Sequence, residues 1–475
     1  MEVSTKRTKI VCTIGPASSA QGTLEDMIRA GMNVARVNFS HGDYDSNLAL
    51  LEKVRAAAEV VGQPVGILQD LQGPKIRVGA LPEDGLELID ESMVTMHAGV
   101  MNAEAGVIPV PYERLAHDVK RGDSILLDDG TKELEVLDVS GPRIKAKVTL
   151  GGHLISHKGI NVPSVSLSVE AMTEKDLEDL AFGLKQNIDF VALSFVRQAS
   201  DVVALREKIT ELLPDGLEPP HVITKIEQFE ALDNFDAILA ETDGVMIARG
   251  DLGLETRASA VPRHQKELIA KCVVAGKPAI IATHMLESMQ KSPRPTRAEV
   301  SDVANGVIDH TDATMLSGES AMGEYPARAV STMAEIISDT EESPLDDLMP
   351  HRDAVGEPVP SAIGAAAVEL ARHIDAAAIL VTTHSGYSAR QIARFRPERP
   401  IYATSDSRRT RQQLTLTWGV RPRFTDETIK PEEMMQEALQ QLEKGGQIKT
   451  GDKVVVVSGL ERGEQYDSVI RVVEV

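Results

Sequence analysis

The sequence predicts an α/β protein: a (β/α)8 TIM barrel, an inserted all-β lid domain after barrel strand 3, and a C-terminal open-sheet α/β domain. Three observations predict this fold. Eight short apolar, β-branched segments alternate with segments of helical period. A stretch with hairpin signals interrupts that alternation, which resumes after an acidic, proline-containing stretch. The chain has 475 residues, more than the ~250–300 that one hydrophobic core can serve, so several domains are expected.

Eight strand-like segments define the predicted barrel. Their near-continuous apolar character indicates strands that are buried on both faces of a parallel sheet. They are TKIVCTIG (8–15), MNVARVNFS (32–40), PVGILQDLQG (64–73), IDFVALSFV (188–196), HVITKIE (221–227), DGVMIARGD (243–251), PAIIATHM (278–285) and ATMLSGES (313–320). Helical patterns lie between most of them, at 23–31, 173–186, 200–213 and 261–276. We therefore predict a barrel formed by residues 1–73 and 164–342.

The segment 74–163 does not follow the β–α pattern. It contains alternating strands with hairpin turns, and Asp129-Gly130 is a strong two-residue turn signal. We interpret it as an all-β domain inserted in the loop after strand 3. Because the loops at the carboxyl ends of barrel strands open over the active face, an insertion there can act as a lid.

The last part of the chain returns to α/β alternation. Residues 343–360 contain four prolines and several acidic residues, as a linker would. Beyond them, the strands AAAILVTT, PIYATS and DKVVVVSG alternate with helical patterns. Residues 361–475 are therefore predicted to form a separate open-sheet α/β domain.

The composition excludes several classes of protein. There are 50 Lys and Arg residues against 72 Asp and Glu residues, and the net charge of −22 repels nucleic acid and acidic membrane surfaces. The two cysteines, Cys12 and Cys272, are too few for a disulfide framework. No run of about 18 apolar residues occurs, and the first residues carry no secretory pattern. We expect a cytoplasmic protein without nucleic-acid or membrane partners.

Polar residues concentrate where the predicted barrel strands end, which is where barrel enzymes place their reacting groups. Lys225 and Glu227 lie two residues apart on a strand, so both point to the same face. Glu227 and Asp251 together form a two-carboxylate set suited to Mg2+, which commonly takes one or two carboxylates and completes its shell with water and substrate oxygens. The full set at the strand ends is Arg36, Asn38, Ser40, His41, Asp70, Lys225, Glu227, Asp251, Thr283, Ser317 and Glu319.

Each of these features also has a structural interpretation. A Lys/Glu pair is more often a structural ion pair, and GDLG is usually a turn that opens a helix. Taken alone, Thr283 and Asn38 are typical capping residues, and His41 is typical of a satisfied surface histidine. The placement of the whole set at one end of the predicted barrel favours the functional interpretation.

Several motifs resemble the pyruvate kinase family over essentially the whole chain. They are TKIVCTIGPAS, ARVNFSHG, DLQGPKIR, HKGINVP, VALSFVR, ITKIE, ARGDLG and the long segment from Thr283 to Glu319. The resemblance implies transfer of the phosphoryl group of phosphoenolpyruvate to ADP, giving pyruvate and ATP in the last step of glycolysis. It also implies Mg2+ or Mn2+ as the cofactor and a homotetramer as the assembly.

The resemblance further implies roles for individual residues. Lys225 would stabilise negative charge on the transferring phosphoryl group and on the enolate left behind. Glu227 and Asp251 would bind the metal, and Thr283 would act in protonating the enolate, through water. The implied catalytic and substrate-binding residues are Lys225, Thr283, Arg36, Gly250 and Asp251. The implied nucleotide-binding residues are Asn38, His41, Arg77 and Lys158.

One motif departs from the commoner family pattern. Members that need K+ hold it with side chains that correspond to Asn38, Ser40 and Asp70 and with the backbone carbonyl that corresponds to Leu71. Those members tend to carry Thr in place of Leu71 and Glu in place of Lys75. Lysine at this position is associated with K+-independent activity, since an ammonium group near Asp70 would supply the charge internally. We therefore expect K+ to be dispensable.

The first strand of the C-terminal domain ends in a loop rich in hydroxyls and glycine at the start of a helix. Such a loop can bind an anion, although ordinary N-capping explains the residues equally. The family binds phosphorylated effectors here, so the resemblance implies an allosteric effector site and a regulatory role for the domain. The candidate residues are Thr382, Thr383, Ser385, Gly386 and Ser388.

Two other function classes compete with the phosphotransferase. A metal-dependent aldolase on the same barrel also binds an enolate between a Glu and an Asp, but it lacks the lid and the C-terminal domain. A non-catalytic metabolite sensor would be favoured if Lys225, Glu227, Asp251 or Thr283 were missing, and all four are present. ADP-dependent formation of pyruvate separates the three classes.

Overall fold

Eight parallel strands close into a barrel in which chain order is also spatial order, as the predicted fold class requires. The computed structural model describes residues 6–102, 104, 106–163, 165–346, 359–425, 431–462 and 465–475. Of the predicted linker 343–360, residues 347–358 lie outside this set. No described helix has the length and apolar character needed to cross a membrane.

The first part of the barrel contributes three strands and two helices. Each strand is short and almost wholly buried, because one face packs in the barrel interior and the other against the surrounding helices. Asp43 caps the second helix by accepting a hydrogen bond from the backbone N–H of Ser46 at 2.9 Å. The elements are β1 Lys9–Thr13, α1 Gln21–Ala30, β2 Val34–Asn38, α2 Tyr44–Val61 and β3 Gly66–Asp70.

The inserted domain has a core of its own, formed by apolar residues that alternate with exposed ones along its strands. Its main sheet has six strands in the order β11-β7-β8-β9-β5-β6, and β4 pairs with β10. One four-residue helix, α3, interrupts the predicted all-β pattern. The elements are β4 Leu86–Leu88, β5 Met93–Ala98, β6 Val107–Val110, α3 Leu115–Asp118, β7 Ser124–Leu127, β8 Lys132–Ser140, β9 Arg143–Leu150, β10 Gly152–Leu154 and β11 Ile160–Asn161.

The second part of the barrel completes the ring with five strands. Thr173 and Thr296 cap α4 and α10 in reciprocal capping boxes with Asp176 and Glu299, so these helices begin where the sequence signals them. The elements are α4 Glu174–Lys185, β12 Phe190–Leu193, α5 Ala199–Leu212, β13 His221–Ile226, α6 Phe229–Asp233, α7 Phe235–Glu241, β14 Gly244–Ala248, α8 Arg249–Glu255, α9 Val261–Ala275, β15 Ala279–Ala282, α10 Arg297–Ile308, β16 Ala313–Leu316, α11 Gly318–Ala321 and α12 Pro326–Glu341.

The C-terminal domain is a five-stranded sheet in the order β19-β18-β17-β20-β21, with only the last pair antiparallel. Apolar residues pack on both faces of this sheet. The elements are α13 Val359–His373, β17 Ala378–Thr382, α14 Tyr387–Ala393, β18 Ile401–Ser405, α15 Arg408–Gln413, β19 Val420–Phe424, α16 Pro431–Lys444, β20 Lys453–Arg462 and β21 Gln465–Glu474.

Candidate active site

A charged cluster centred on Lys225 occupies the carboxyl end of the barrel. Its ammonium Nζ lies 2.9 Å from Glu227 Oε1 and 3.4 Å from Asp70 Oδ1, and it donates to Ser194 Oγ at 2.7 Å. Asp70 and Glu227 are almost fully buried, whereas the Lys225 side chain keeps 12% of its surface exposed. The ammonium group is therefore held by two buried carboxylates while it still faces the opening.

The charges in this cluster reinforce one another. Burial acts to lower the pKa of Lys225, but Asp70 and Glu227 outweigh it, and the pKa lies above its ordinary value. Burial acts to raise the pKa of Asp70, but Lys225 and Arg36 outweigh it, and that pKa lies below its ordinary value. Lys225 and Asp70 are consequently held in their charged forms, as electrostatic catalysis requires.

Arg36 is fixed beside this cluster from two sides. Its Nε donates to Asp70 Oδ2 at 2.7 Å, and its Nη1 donates to Thr13 Oγ1 at 2.8 Å. The parallel register of β1, β2 and β3 sets Thr13 beside Arg36 and Asn38 beside Asp70, so the strand pairing itself assembles the group. A second fixed cation thus lies near Lys225.

Glu227 and Asp251, which the sequence predicts as metal ligands, lie near enough for their charges to interact. Burial and the nearby charge of Asp251 raise the pKa of Glu227, although Lys225 opposes them. Glu227 Oε2 also accepts the backbone N–H of Phe195 at 2.7 Å. Among the described residues no cluster of three or more His, Cys, Asp and Glu side chains could hold a metal. Two neighbouring carboxylates still fit Mg2+, since substrate oxygens and water complete its shell.

Thr283 is held in a strained conformation after β15. It has φ 73°, and His284 follows with φ 55°; a positive φ is rare for a β-branched residue such as threonine. Thr283 Oγ1 accepts the backbone N–H of Gly250 at 2.9 Å, so this N–H, which the family likeness implies as a substrate contact, is bonded within the protein. This backbone conformation sets the hydroxyl beside Gly250, at the start of α8.

Two residues that hold Thr283 in place were missed in the sequence. Arg249 Nη2 donates to the Thr283 carbonyl at 2.8 Å, and Arg249 forms a bidentate pair with Asp302, with distances of 2.8 and 2.7 Å. The pattern of polar residues at strand ends includes Arg249, which directly follows β14. Asp302 carries no such signal because it lies within α10.

Lys75 was expected to place its ammonium group near Asp70, and the structure corrects this expectation. Its Nζ lies 3.6 Å from Asp251 Oδ1 and 3.9 Å from Asp129 Oδ1, and the ion pairs of Asp70 are instead made by Arg36 and Lys225. The reason is the direction of the chain at the lid junction, which carries Lys75 across the barrel mouth towards β14. Lys75 therefore adds positive charge beside a predicted metal ligand rather than beside Asp70.

The oxygen atoms of Asn38 and Leu71, which belong to the predicted K+ set, accept hydrogen bonds from other groups of the protein. Asn38 Oδ1 accepts the backbone N–H of Ser40 at 3.1 Å. The Leu71 carbonyl accepts Ser194 Oγ at 2.8 Å. Ser194 directly follows β12, so the same strand-end rule that found Lys225 could have found it.

The predicted nucleotide-phosphate residues of the lid make contacts within the lid, and a hydrogen bond ties the lid to the barrel. Lys158 Nζ lies 2.8 Å from Asp128 Oδ1, and Arg77 Nη1 donates to the His157 carbonyl at 3.1 Å. Asn161 of β11 donates to Glu255 Oε1 of α8 at 3.0 Å, which ties the lid to the barrel beside Asp251. The predicted nucleotide residues Arg77 and Lys158 thus lie on the lid side of the cleft.

Asn38 and His41 line a cavity of 850 Å3 at the same end of the barrel. Arg36, Thr13, Pro16, Leu50, Lys53 and Met322 are among its other lining residues. A mixed apolar and basic cavity of this size suits a nucleotide-sized ligand. It adjoins the Lys225 cluster through Arg36.

The predicted effector loop is well ordered by its own hydrogen bonds. Thr383 Oγ1 accepts the backbone N–H of Gly386 at 3.0 Å, and Ser385 Oγ accepts that of Tyr387 at 3.4 Å. Gly386 has φ 78°, which favours glycine. Thr382 ends β17, and Ser388 lies in the first turn of α14. These bonds order the loop, but the N-cap of α14 is Gly386 and no side chain of the described residues caps the helix, so ordinary N-capping does not account for the hydroxyls. The effector site stays a prediction.

Comparison with known proteins covers both the barrel and the C-terminal domain. Residues 5–330 match the pyruvate kinase barrel domain, and residues 361–473 match the pyruvate kinase alpha/beta domain. The pyruvate kinase of Bacillus licheniformis is 44% identical over 458 residues, which is 96% of this chain and 78% of that one. The pyruvate kinase of Clostridium acetobutylicum is 41% identical over 461 residues, 96% of each chain.

The fold agrees with these matches. A crystal structure of a pyruvate kinase from Cryptosporidium parvum is similar with a TM-score of 0.91 at 36% identity, covering 99% of this chain and 96% of that one. The match therefore includes the barrel mouth, the inserted lid and the C-terminal sheet, and not the barrel alone, which hosts many chemistries. A barrel whose mouth holds Lys225 between two carboxylates, matched along nearly its whole length to these proteins, belongs to the pyruvate kinase family of phosphotransferases.

Proposed function

We propose that this enzyme transfers the phosphoryl group of phosphoenolpyruvate to ADP, giving pyruvate and ATP in glycolysis, at the mouth of the barrel. The observation that carries the proposal is the Lys225 ammonium held 2.9 Å from Glu227 and 3.4 Å from Asp70. Phosphoryl transfer needs positioning and fixed positive charge where negative charge develops. Lys225 and Arg36 are the fixed cations that supply it.

Glu227 and Asp251 are the proposed ligands of a divalent cation, Mg2+ or Mn2+. A bound cation would neutralise negative charge on the substrate oxygens. Glu227 supports this role because its buried carboxylate, raised in pKa, lies near a second carboxylate of like charge. Lys75, 3.6 Å from Asp251, partly balances the same charge.

Thr283 is the proposed residue through which a proton reaches the enolate. Its hydroxyl is too weak an acid to act alone, so water is the proton carrier in this proposal. The strained backbone of Thr283 and the Arg249 bond to its carbonyl hold the hydroxyl beside Gly250. The substrate would therefore bind against Arg36, Gly250, Asp251 and Thr283.

ADP is proposed to bind in the 850 Å3 cavity lined by Asn38 and His41, with its phosphates directed towards Arg77 and Lys158 on the lid side. The Asn161–Glu255 hydrogen bond supports lid closure over the mouth. Closure would exclude water, which limits wasteful hydrolysis of the phosphoryl donor.

K+ is proposed to be dispensable, on a basis that differs from the sequence expectation. Asp70 already has two cations, Arg36 and Lys225, and Lys75 brings a third positive charge to the mouth beside Asp251. These fixed charges supply internally what a monovalent ion would add at the set Asn38, Ser40, Asp70 and Leu71.

The remaining proposals concern the cell and the assembly. By family likeness we propose a cytoplasmic homotetramer whose C-terminal domain binds a phosphorylated allosteric effector at Thr382, Thr383, Ser385, Gly386 and Ser388. Sedimentation of the full chain at equilibrium tests the assembly.

The test of the function is a coupled assay of pyruvate formation from phosphoenolpyruvate. Turnover is expected only with ADP and Mg2+ or Mn2+ together, and chelation of the metal should abolish it. The same assay in buffers of tetramethylammonium chloride or KCl at equal ionic strength tests the cation requirement. No ADP-dependent turnover would contradict the function, and turnover that needs KCl would contradict only the proposal about K+.

A further inference from the structure

The Lys225 ammonium group has as many partners as it has donors. A protonated lysine carries three N–H groups and no acceptor. Among the described residues its partners are Ser194 Oγ at 2.7 Å, Glu227 Oε1 at 2.9 Å and Asp70 Oδ1 at 3.4 Å. The shortest of these contacts is therefore made by the uncharged partner, Ser194, for which the sequence predicts no role.

The direction of the Lys225–Ser194 hydrogen bond follows from the chemistry of the two groups. An ammonium group only donates, so the Ser194 hydroxyl accepts through a lone pair and keeps its single hydrogen for another partner. That partner is the Leu71 carbonyl, 2.8 Å from Ser194 Oγ, because Asp70 Oδ1, at 3.5 Å, is too far for a comparable bond. Turning the hydrogen away from Leu71 would give up this bond, so the lone pair stays directed at Lys225.

The backbone fixes the position of Ser194 from both sides. β12 pairs in parallel with β13, and Ser194 and Lys225 are the residues that follow the last pair of this register. On the other side, the Leu71 backbone N–H donates to the Ala192 carbonyl at 3.1 Å. A Cβ added at Gly73 would lie 2.9 Å from Ser194 Cβ, so the chain after β3 packs directly against this buried serine. The hydroxyl oxygen therefore has a fixed place, as positioning of a reacting group requires.

The two charged partners of Lys225 have further partners of their own. Arg36 Nε donates to Asp70 Oδ2 at 2.7 Å. Glu227 is a proposed ligand of the divalent cation, so part of its negative charge is shared with that ion when the ion is bound. A contact to an uncharged hydroxyl does not change with this redistribution of charge. The Ser194 contact is therefore independent of the charges that metal and substrate bring to the mouth.

We propose that Ser194 is a positioning residue for Lys225 in phosphoryl transfer. Its hydroxyl, anchored on the Leu71 carbonyl, holds the ammonium nitrogen in place. The donor that is now directed at Asp70 Oδ1 turns to an oxygen of the transferring phosphoryl group, because this contact, at 3.4 Å, is the longest of the three. This role rests on the proposed function, to which it adds the group that orients the catalytic cation.

Loss of the hydroxyl acts on the rate rather than on substrate binding. In Ser194→Ala the ammonium group keeps its charge, because Asp70 and Glu227 remain beside it. It loses its shortest bond, however, and shifts towards the carboxylates and away from the phosphoryl group. A misplacement of about 1 Å can cost about 10²-fold in rate, so a partial shift costs about tenfold or more.

The test is steady-state kinetics of Ser194→Ala at saturating Mg2+, with phosphoenolpyruvate and ADP varied in turn. We expect kcat to fall by about tenfold or more, while both KM values stay within about twofold of the parent values. The matched control is Ser320→Ala, which should keep the parent kcat. Ser320 is also a buried serine of the barrel, and its Oγ donates to the Thr13 carbonyl at 2.8 Å, the same distance as in the Ser194–Leu71 bond.

A double-mutant cycle shows whether Ser194 acts through Lys225. In the Lys225→Met background there is no ammonium group to position, so adding Ser194→Ala should change kcat by less than about twofold. A merely structural role would instead lower kcat by the same factor in both backgrounds, together with the melting temperature. Ser194→Cys keeps a weak acceptor at this position and should recover part of the rate.

Two results would overturn the role of Ser194. One is a kcat of Ser194→Ala within about twofold of the parent value. The other is an equal loss of rate in the parent and Lys225→Met backgrounds. Absence of ADP-dependent turnover in the parent would contradict the proposed function and this role together, whereas either of the two results in an active parent contradicts the role of Ser194 alone.

Discussion

The two ends of the barrel shift the pKa of a buried lysine in opposite directions. At the mouth, Lys225 is flanked by Asp70 and Glu227, and its pKa lies above the ordinary value. At the base, Lys9 faces Lys6 and Arg421, and its pKa falls to about 7. Burial acts in the same direction on both lysines, so the difference comes from the neighbours. A buried lysine that is paired with carboxylates stays protonated, whereas a buried lysine among other cations loses its proton at a lower pH.

This contrast indicates what each end can do. The mouth holds charges that stay fixed throughout a reaction, which suits stabilisation of a transition state. The base holds lysines whose pKa is lowered by burial, and for Lys9 also by neighbouring cations. Four substitutions test the contrast, three at the mouth and one at the base.

Lys225→Met should have the largest effect. It removes the ammonium group that balances Asp70 and Glu227, and we expect kcat to fall by about 10³-fold while phosphoenolpyruvate binding is largely kept. Steady-state kinetics and calorimetry with the substrate measure the two effects. Lys208→Met, at an exposed position on α5, is the control. Near-normal turnover in Lys225→Met would show that the assigned role is wrong.

Glu227→Gln should strongly weaken metal-dependent binding of the substrate. Glutamine keeps the size of the side chain but loses the charge that a hard divalent cation prefers. Calorimetric titration of phosphoenolpyruvate with and without Mg2+ measures the loss, which we expect to be about 10²-fold in affinity. Glu230→Gln, three residues further along the chain, should keep the Mg2+ effect. Equal loss in both variants would contradict the assignment of Glu227.

Asp302→Asn should lower kcat by about tenfold and leave KM close to the parent value, because Arg249 loses its ionic partner and holds Thr283 less firmly. Asp302→Glu should restore part of the rate. A merely structural role would instead lower the melting temperature without separating kcat from KM. Kinetics and thermal unfolding of the two variants distinguish these outcomes.

Lys9→Met tests the base by its pH dependence. The pKa of Lys9 is about 7 in the folded protein and 10.5 ordinarily, so between these values the unfolded chain binds the additional proton. This group therefore makes the protein more stable as the pH rises from about 7 to 10.5. The melting temperature of Lys9→Met relative to the parent should be highest near pH 7 and should fall by a few degrees towards pH 10. A difference that is constant with pH would contradict the lowered pKa.

Local patterns in the sequence predict much of the fold. The eight strands follow from short β-branched segments bounded by polar loops, and all eight lie within the predicted segments. Lys225 and Glu227 were found because a two-residue spacing on a strand depends only on local geometry. Helix starts at Thr173 and Thr296 follow from capping boxes within four residues of chain.

Contacts between distant residues were not predictable in this way. Asp302 lies 53 residues after Arg249, and nothing near it in the sequence marks the pairing. Lys75 was expected beside Asp70, yet it lies beside Asp251, because the path of the lid junction decides where a long side chain reaches. The cavity of 760 Å3 between the base of the barrel and the C-terminal domain was also missed, since its lining residues come from separated segments of the chain, among them Lys6, Gln63 and Arg421.

The sequence by itself determined the order of the elements, the identity of the strand-end residues and the family to which the chain belongs, because these depend on local periodicity and on contiguous motifs. The tertiary structure alone decided which distant charges become neighbours: Lys225 with Asp70, and Lys9 with Arg421. Electrostatic energy in a low dielectric changes steeply with distance, so closing the barrel and docking the C-terminal domain, rather than composition, set the chemistry of its two ends.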